Sequence, residues 1–277
     1  IVNLNMTLDD SPELAQIRWN RLLTALHVEI PENTELDDYS ITQLLTFDRS
    51  NSNSILSCII SARENARNVR EQISSEMWEH LNELYLSFKS NAIDSIWNEG
   101  PFKFLRSIRN GSHLFEGITD STMNHGEGWQ FIQAGRFIER SNSMAVMLNV
   151  HRSLFDEPVN GAQGRDIYPD LLGILKSGTA FEAYCKIYTA NLRHDHVAEL
   201  LLLNPEFPHS VRFSIDRLDE ALKAIAEVTE KRKANRANRL IGRIKAELSF
   251  DLIEEIISDG TEKYLKRIQR QCGEIHL

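Results

Sequence analysis

The sequence has few of the residues that interrupt helices. Its 277 residues include only 13 glycines and 7 prolines, and the alternating β-branched runs typical of half-buried strands are scarce. Most of the chain carries apolar residues three and four positions apart, which is the spacing of an amphipathic helix. The sequence therefore predicts an all-α fold, a multi-helix bundle of roughly eight to ten helices.

The composition also argues against several other classes of protein. The three cysteines are widely spaced without a CxxC pair, which argues against a disulfide framework and a thiolate zinc site. No apolar run approaches the roughly 20 residues that span a bilayer. The net charge of −9 argues against general nucleic-acid binding, because neutralising phosphates requires an excess of lysine and arginine. We therefore expect a cytoplasmic protein that binds neither a membrane nor nucleic acid.

The motifs of common enzyme classes are absent as well. No GxSxG, GxxxxGKS/T or GxGxxG occurs, so a hydrolase nucleophile elbow and the standard nucleotide-binding loops have no support. His194 and His196 are two positions apart and do not share a helix face, which argues against a metal site there. Cys58 and Cys185 fall on apolar stripes and are predicted core residues. We expect no metal and no cofactor in this chain.

Apolar periodicity and capping residues divide the chain into predicted helices. Ser54 begins a long helix, residues 74–76 interrupt it, and Gly100 ends a later one. Further helices are predicted at residues 101–123, 129–155, 168–177, 179–192, 196–203, 210–222, 239–257 and 261–272. The charged segment 227–239 is interpreted as an exposed arm or loop.

The predicted domain covers residues 1–277. Segment 156–170 has two glycines and two prolines and is the candidate internal boundary. Residues 1–8 resemble the last turns of a helix whose start is absent, so we interpret the chain as truncated and as part of a longer polypeptide.

A cluster of charged residues lies inside a strongly apolar helix. Arg136, Glu139 and Arg140 are neighbours because residues three and four apart share a helix face. The adjacent apolar stripe consists of Phe131, Ala134, Phe137 and Ile138. Charges beside a buried stripe are costly unless they pair, so we predict an ion-pair site. Two interpretations remain open: a structural ion pair that locks adjacent helices, or arginine forks that bind a carboxylate or phosphate with Glu139 orienting one guanidinium.

A second cluster, Arg63, Glu64 and Arg67, lies on an earlier predicted helix and allows the same two interpretations. If the two helices pack together, their joint site holds four arginines and two glutamates. The excess of positive charge then favours an anionic ligand.

The polar segment 120–129 precedes the helix that carries the first cluster. Its amides are candidates for binding an anion at the helix N-terminus, although an ordinary capped turn explains the segment equally well. His125 is a candidate substrate-binding residue, and His125 with Glu127 is a candidate acid–base pair.

Four blocks of the sequence resemble the bacterial alpha-E family, predicted all-helical proteins defined by a Glu–Arg motif. They are residues 55–58 running into 62–67, residues 69–78, Gly-Arg-Phe-Ile-Glu-Arg at 135–140, and Phe-Pro-His-Ser-Val at 207–211. The similarity covers nearly the whole chain. Members of the family usually begin with a further Glu–Arg helix that would precede Ile1. The family pattern continues the motif with alanine, where this chain has Ser141.

The resemblance implies a partnership more than a reaction. Alpha-E proteins are encoded beside, or fused to, a circularly permuted ATP-grasp protein, often with a transglutaminase-like protein and sometimes a proteasome-like peptidase. This context implies ATP-dependent amide-bond formation in peptide synthesis or modification, with ATP and Mg²⁺ on the ATP-grasp partner.

Two hypotheses follow from the resemblance and the residues together. In the first, the chain is a non-catalytic helical partner or domain of the ligase, docking it and holding an anionic or peptide substrate through its arginines. In the second, the chain is an enzyme of amide ligation or hydrolysis that uses Glu139 or Glu64 as a general base. The first is favoured because a neighbouring arginine makes a carboxylate a weaker base near neutral pH.

Overall fold

Every regular element that the computed structural model describes is a helix. The described residues are 19–20, 22–24, 26, 28, 37–91, 93–156, 167–228 and 236–276. The predicted all-α class is confirmed. Contacts divide the chain into two compact units, whose main segments are Asp9–His125 and Gly126–Leu277. The division therefore falls between His125 and Gly126, and segment 156–170 lies inside the second unit.

Within the described part of the N-terminal unit, five helices have defined bounds: α1 (Asp38–Thr46), α2 (Ile55–Asn68), α3 (Ser75–Ser90), α4 (Ile93–Glu99) and α5 (Pro101–Thr122). Serine caps begin two of them. The Ser54 hydroxyl accepts a hydrogen bond from the Ser57 amide, and the Ser74 hydroxyl accepts one from the Met77 amide, satisfying amide groups that a helix end leaves without partners.

Helices α3 and α5 pack closely at Gly111. A Cβ atom at this position would lie 2.5 Å from Cδ2 of Leu84, so glycine permits the approach. Because of this close approach, the buried His80 ring of α3 reaches α5, where its Nε2 lies 2.8 Å from the Gly111 carbonyl oxygen. A buried polar ring is therefore satisfied by the backbone of the facing helix.

The C-terminal unit contains nine bounded helices within its described residues: α6 (Glu127–Val150), α7 (Ser153–Asp156), α8 (Tyr168–Ser177), α9 (Phe181–Tyr188), α10 (His194–Leu203), α11 (Val211–Val228), α12 (Arg236–Phe250), α13 (Ile253–Asp259) and α14 (Thr261–His276). The long helix α6 packs against α11 and α14. The core of this unit includes fully buried Leu171, Leu200, Leu201 and Ile215, and α6 presents the first charged cluster at its edge.

The helices are more numerous than predicted. Fourteen are bounded within the described residues, against roughly eight to ten expected from periodicity. Segment 129–155 covers most of α6 and of the short α7, and segment 239–257 covers most of α12 and of α13. The helical spacing of apolar residues continues across a two-residue link, whereas the helical hydrogen bonding of the backbone stops there. A prediction from periodicity alone therefore joins two neighbouring helices into one.

Other expectations were wrong in detail. The charged segment 227–239 is not a loop throughout, because α11 extends to Val228 and α12 begins at Arg236; residues 229–235 lie outside the described residues. Cys58 is exposed and Cys185 is half-buried, so neither is a fully buried core residue. Residues 1–8, read from the sequence as a helix end, also lie outside the described part of the chain. Among the described helices, none has the length and apolar character needed to cross a membrane.

Candidate functional site

The first charged cluster lies near the middle of α6, but its members do not form the predicted ion pair. The Glu139 side chain is exposed and pairs with no described residue. Arg136 is half-buried and directs Nη1 to Oε1 of Gln133 at 3.5 Å. Arg140 is half-buried and donates through Nη1 to the Pro208 carbonyl oxygen at 3.3 Å. The prediction that Glu139 pairs with these arginines was therefore wrong.

The two arginines instead flank an aromatic ring. The Cζ atoms of Arg136 and Arg140 lie 5.2 and 5.6 Å from the ring centroid of Phe137. Phe137 is buried and makes an edge-on contact with Phe213 of α11, with 6.1 Å between ring centroids. A guanidinium at this distance from a ring is attracted by the negative charge on the ring face. The arginines therefore pack around a ring that takes part in the α6–α11 contact.

The backbone that Arg140 reaches is a well-braced connection between α10 and α11. The Asn204 side chain accepts hydrogen bonds from the amides of Glu206 and Phe207 at 2.9 and 2.8 Å. The Ser210 hydroxyl donates to the Asn204 carbonyl oxygen and accepts from the Phe213 amide, capping α11. Arg140 thus holds a loop that already has its own hydrogen bonds, and this loop is part of the 207–211 block quoted above.

The residue after the motif packs into the core. Ser141 and Cys272 are both buried, and the Ser141 Oγ lies 3.6 Å from the Cys272 Sγ on α14. Burial raises the pKa of the Cys272 thiol, and the negative charge of Glu139 acts in the same direction. Position 141 is fully buried, and its serine makes a weak polar contact with α14.

Glu139 belongs to an exposed stripe of α6. Phe131, Gly135 and Glu139 are spaced four residues apart, so they lie on one face of the helix, and all three are exposed. Phe131 was predicted to face the core, but its side chain is 56 % exposed. No atom lies within 4 Å of the position that a Cβ of Gly135 would occupy. The stripe therefore offers a ring and a carboxylate with open space between them.

The second cluster has a different arrangement. Arg63 Nε donates to Asn82 Oδ1 of α3 at 2.7 Å, and its Cζ lies 4.9 Å from the Tyr85 ring centroid. The Glu64 carboxylate pairs with both arginines, at 3.4 Å from Arg63 Nη1 and 3.4 Å from Arg67 Nη1. Arg63 therefore bridges α2 and α3, as the structural interpretation expects. The Arg67 side chain is 65 % exposed and contributes little to this bridge.

His125 lies at the end of α5, where its Nε2 is 3.1 Å from the Asp120 carbonyl oxygen. The contact joins the ring to the last turn of that helix. Gly126 precedes α6 without a side-chain cap, and Glu127 places an acidic group in its first turn. Substrate binding by His125 and anion binding by this segment stay predictions.

One charged cluster lies in each unit, so the predicted joint site also stays a prediction. No group of three His, Cys, Asp or Glu side chains within the described residues is arranged as ligands for a metal ion.

Residue type and spacing identified Arg136, Glu139 and Arg140 in the sequence. They did not show that the Phe137 ring and the Pro208 carbonyl are the groups that the arginines contact. The 207–211 block pointed to the loop between α10 and α11, but the sequence does not show that this loop contacts α6.

Comparison with known proteins gives a family and nothing more specific. No curated protein and no solved structure shows significant similarity to the chain. The model of the Alpha-E family, described as a predicted alpha-helical domain with a conserved ER motif, matches residues 1–277. Glu139–Arg140 is the only Glu–Arg dipeptide in the sequence. The chain belongs to the Alpha-E family.

Proposed function

We propose that this chain is the helical partner or domain of a circularly permuted ATP-grasp system that forms amide bonds in peptide synthesis or modification. In this proposal it docks the ligase and holds a peptide substrate along the exposed stripe of α6, whose carboxylate suits amine and amide N–H groups. ATP and Mg²⁺ belong to the ligase. A transglutaminase-like protein and a proteasome-like peptidase act in the same pathway.

One observation carries the substrate-holding role: Glu139 is exposed and has no partner among the described residues, although the family is described by a conserved ER motif. Arg140 has a structural task, since it holds the Pro208 carbonyl. A motif carboxylate that has no partner among the described residues favours recognition of something outside the fold.

The chemistry of the stripe fits a peptide. The Glu139 carboxylate accepts hydrogen bonds from amine or amide N–H groups, while the exposed Phe131 ring provides apolar contact area. The two residues are eight positions apart, or about 12 Å along the helix, with Gly135 leaving the surface between them open. An extended segment of about four residues spans that distance.

The experiment compares Glu139→Gln, Gly135→Leu and Arg140→Ala with wild type, using the ATP-grasp protein encoded beside or fused to the chain. Binding to the ligase, ATP-dependent amide formation and thermal melting are measured on each variant. The matched control is Glu227→Gln on α11, where an exposed glutamate without a described partner loses the same charge.

We expect both stripe variants to bind the ligase but to raise the KM for the peptide substrate about tenfold. Glu139→Gln loses one charged hydrogen bond and should melt with wild type. Gly135→Leu fills the open space of the stripe and should melt slightly later, because leucine is favoured over glycine in a helix. Arg140→Ala should melt earlier. If the two stripe variants have wild-type KM values, the stripe does not hold substrate. If the wild-type protein neither binds the ligase nor alters its reaction, the proposed partnership is wrong.

Catalysis by Glu139 as a general base predicts a different result. Glu139→Gln would then lower kcat by about a hundredfold or more with little change in KM. The division between KM and kcat therefore separates substrate holding from catalysis.

A further inference from the structure

The link between α12 and α13 exposes two large apolar side chains. Phe250 ends α12 with 83 % of its surface exposed, and Leu252, immediately before α13, is 57 % exposed. Single exposed apolar residues are common on protein surfaces. Here two of them lie at one corner, separated by a single residue.

Asp251, between them, is anchored to the body of the unit. Its amide donates to the Glu247 carbonyl oxygen at 2.9 Å. Burial and the nearby negative charge of the Asp251 carboxylate raise the pKa of the Tyr264 hydroxyl on α14. The Tyr264 ring lies 4.8 Å from the Cζ of Arg267, which also pairs with the Glu247 carboxylate at 3.1 Å. Leu252 has an extended backbone, in which successive side chains point to opposite sides. Asp251 is half-buried, whereas Phe250 and Leu252 on either side of it are exposed.

The corner is also acidic. Residues 250–262 contain five acidic and no basic residues. Glu254, Glu255 and Asp259 are exposed and form no ion pair with any described residue. Only Glu262 is neutralised, by Arg152 and Lys266. Phe250 and Leu252 are therefore followed in the chain by acidic residues that no described cation neutralises.

We infer that this corner, defined by Phe250, Leu252, Glu254 and Glu255, docks a protein that presents an apolar pocket rimmed by lysine or arginine. The two apolar side chains enter the pocket, and the glutamates pair with its rim. The inference rests on the proposed function, in which the protein docked is the ATP-grasp ligase.

The negative charge of this corner argues against two other binding partners, a second copy of the chain and an anionic membrane. A second copy docking through the same corner would bring two acidic rims together, because a two-fold contact joins identical surfaces. An anionic membrane surface would repel the glutamates. A basic rim is the complement that both glutamates favour, and it implies that binding weakens as salt is added.

The test uses the full chain and the ATP-grasp protein encoded beside or fused to it. The variants are Phe250→Ser with Leu252→Ser, and Glu254→Lys with Glu255→Lys. The matched control is Ile187→Ser with Val228→Ser, which removes two apolar residues that are 52 % and 59 % exposed elsewhere in the same unit. Dissociation constants are measured at low and high salt, with thermal melts and sedimentation of each protein alone.

We expect the apolar variant to bind the ligase about tenfold to a hundredfold more weakly, as for truncated anchors at an interface, and to melt with wild type. The charge-reversed variant should bind weakly and lose the salt dependence. The control and Glu139→Gln should bind like wild type.

Three results overturn the inference. Wild-type binding that both corner variants retain shows that the ligase docks elsewhere and leaves the proposed function intact. Wild-type protein that does not bind the ligase overturns the proposed function and this inference with it. Wild-type protein that sediments as a dimer, when the apolar variant is a monomer, shows that the corner joins two copies instead.

Discussion

A buried carboxylate between α11 and α12 offers a quantitative test of the packing. The Asp219 side chain is only 5 % exposed and accepts hydrogen bonds from Lys223 at 2.7 Å and from Lys245 at 2.9 Å. Lys245 also pairs with Asp216 at 3.2 Å. Asp219→Asn keeps the shape and one acceptor oxygen but removes the charge, so the two lysines lose their strongest partner.

The expected loss of stability is about 2 kcal/mol. One hydrogen bond to a charged group contributes about 1.5–3 kcal/mol, but the side chains of Lys223 and Lys245 are 64 % and 36 % exposed and recover hydration when released. A loss of this size lowers the Tm of a unit of this length by about 4–8 °C. Asp216→Asn is the matched control and should lose less than about 1 kcal/mol, because a single exposed ion pair contributes little.

The pH dependence follows from the two pKa shifts. Burial alone would raise the pKa of Asp219, but the lysine hydrogen bonds outweigh it and hold the pKa below its ordinary value. The hydrogen bond to Asp219 raises the pKa of Lys245. The carboxylate's contribution is therefore present above about pH 4 and is lost as the pH falls further. The lysine's contribution is present below about pH 10 and is lost as the pH rises further.

The assay is chemical denaturation of wild type, Asp219→Asn and Asp216→Asn from pH 3 to pH 11. The difference between wild type and Asp219→Asn should be constant between about pH 5 and pH 9 and shrink at both ends. Equal losses in the two variants, or a difference that grows as the pH falls below 4, would refute the reasoning.

Three further predictions concern other contacts. Arg63→Met should lower the stability of the N-terminal unit by about 1–2 kcal/mol in denaturant titrations, since it loses the Asn82 bond and the aromatic contacts, whereas Arg67→Met should change it by less than about 0.5 kcal/mol; equal effects would contradict the bridging role. Cys58, which is exposed, should react with a thiol reagent in the native state, whereas Cys272, buried and with a raised pKa, should react only on unfolding; simultaneous labelling would count against this packing. Gly135→Ala should raise the Tm, because alanine is favoured over glycine in a helix by about 0.5–1 kcal/mol and its methyl group meets no atom; a lower Tm would show that the space is filled.

Local rules predicted the helices more successfully than the breaks between them. The predicted bounds 168–177 are those of α8, and 101–123 differs from α5 by one residue, because periodicity and a leading proline act within a few residues. The breaks after Val150 and Phe250 were missed. Tertiary contacts lie at both breaks. Arg152, in the first, pairs with Glu262 of α14 at 3.2 Å. Glu247, one turn before the second, pairs with Arg267 of the same helix at 3.1 Å.

The candidate site was identified by residue type and misjudged in its pairing. Arg140 reaches a carbonyl 68 positions later, and Phe137 meets Phe213 of α11. No local pattern ranks these partners above a glutamate one position away. The ion-pair expectation assumed that the nearest opposite charge is preferred, yet a ring and a carbonyl already in place require less ordering of a long side chain.

The two residues of the motif cannot have the same role, because adjacent positions on an α-helix are about 100° apart. Arg140 follows Phe137 by three residues and so shares the face that meets α11, which explains why its guanidinium is used in packing. Glu139 follows Gly135 by four and therefore lies on the exposed stripe. Helix geometry thus makes the motif a unit in which the arginine fixes the position of α6 and the glutamate is presented from that fixed helix. A Glu139→Arg/Arg140→Glu exchange keeps the composition and both charges but reverses the roles. It should lower the Tm and raise the KM for the peptide substrate together, whereas Glu139→Gln alone should raise only the KM.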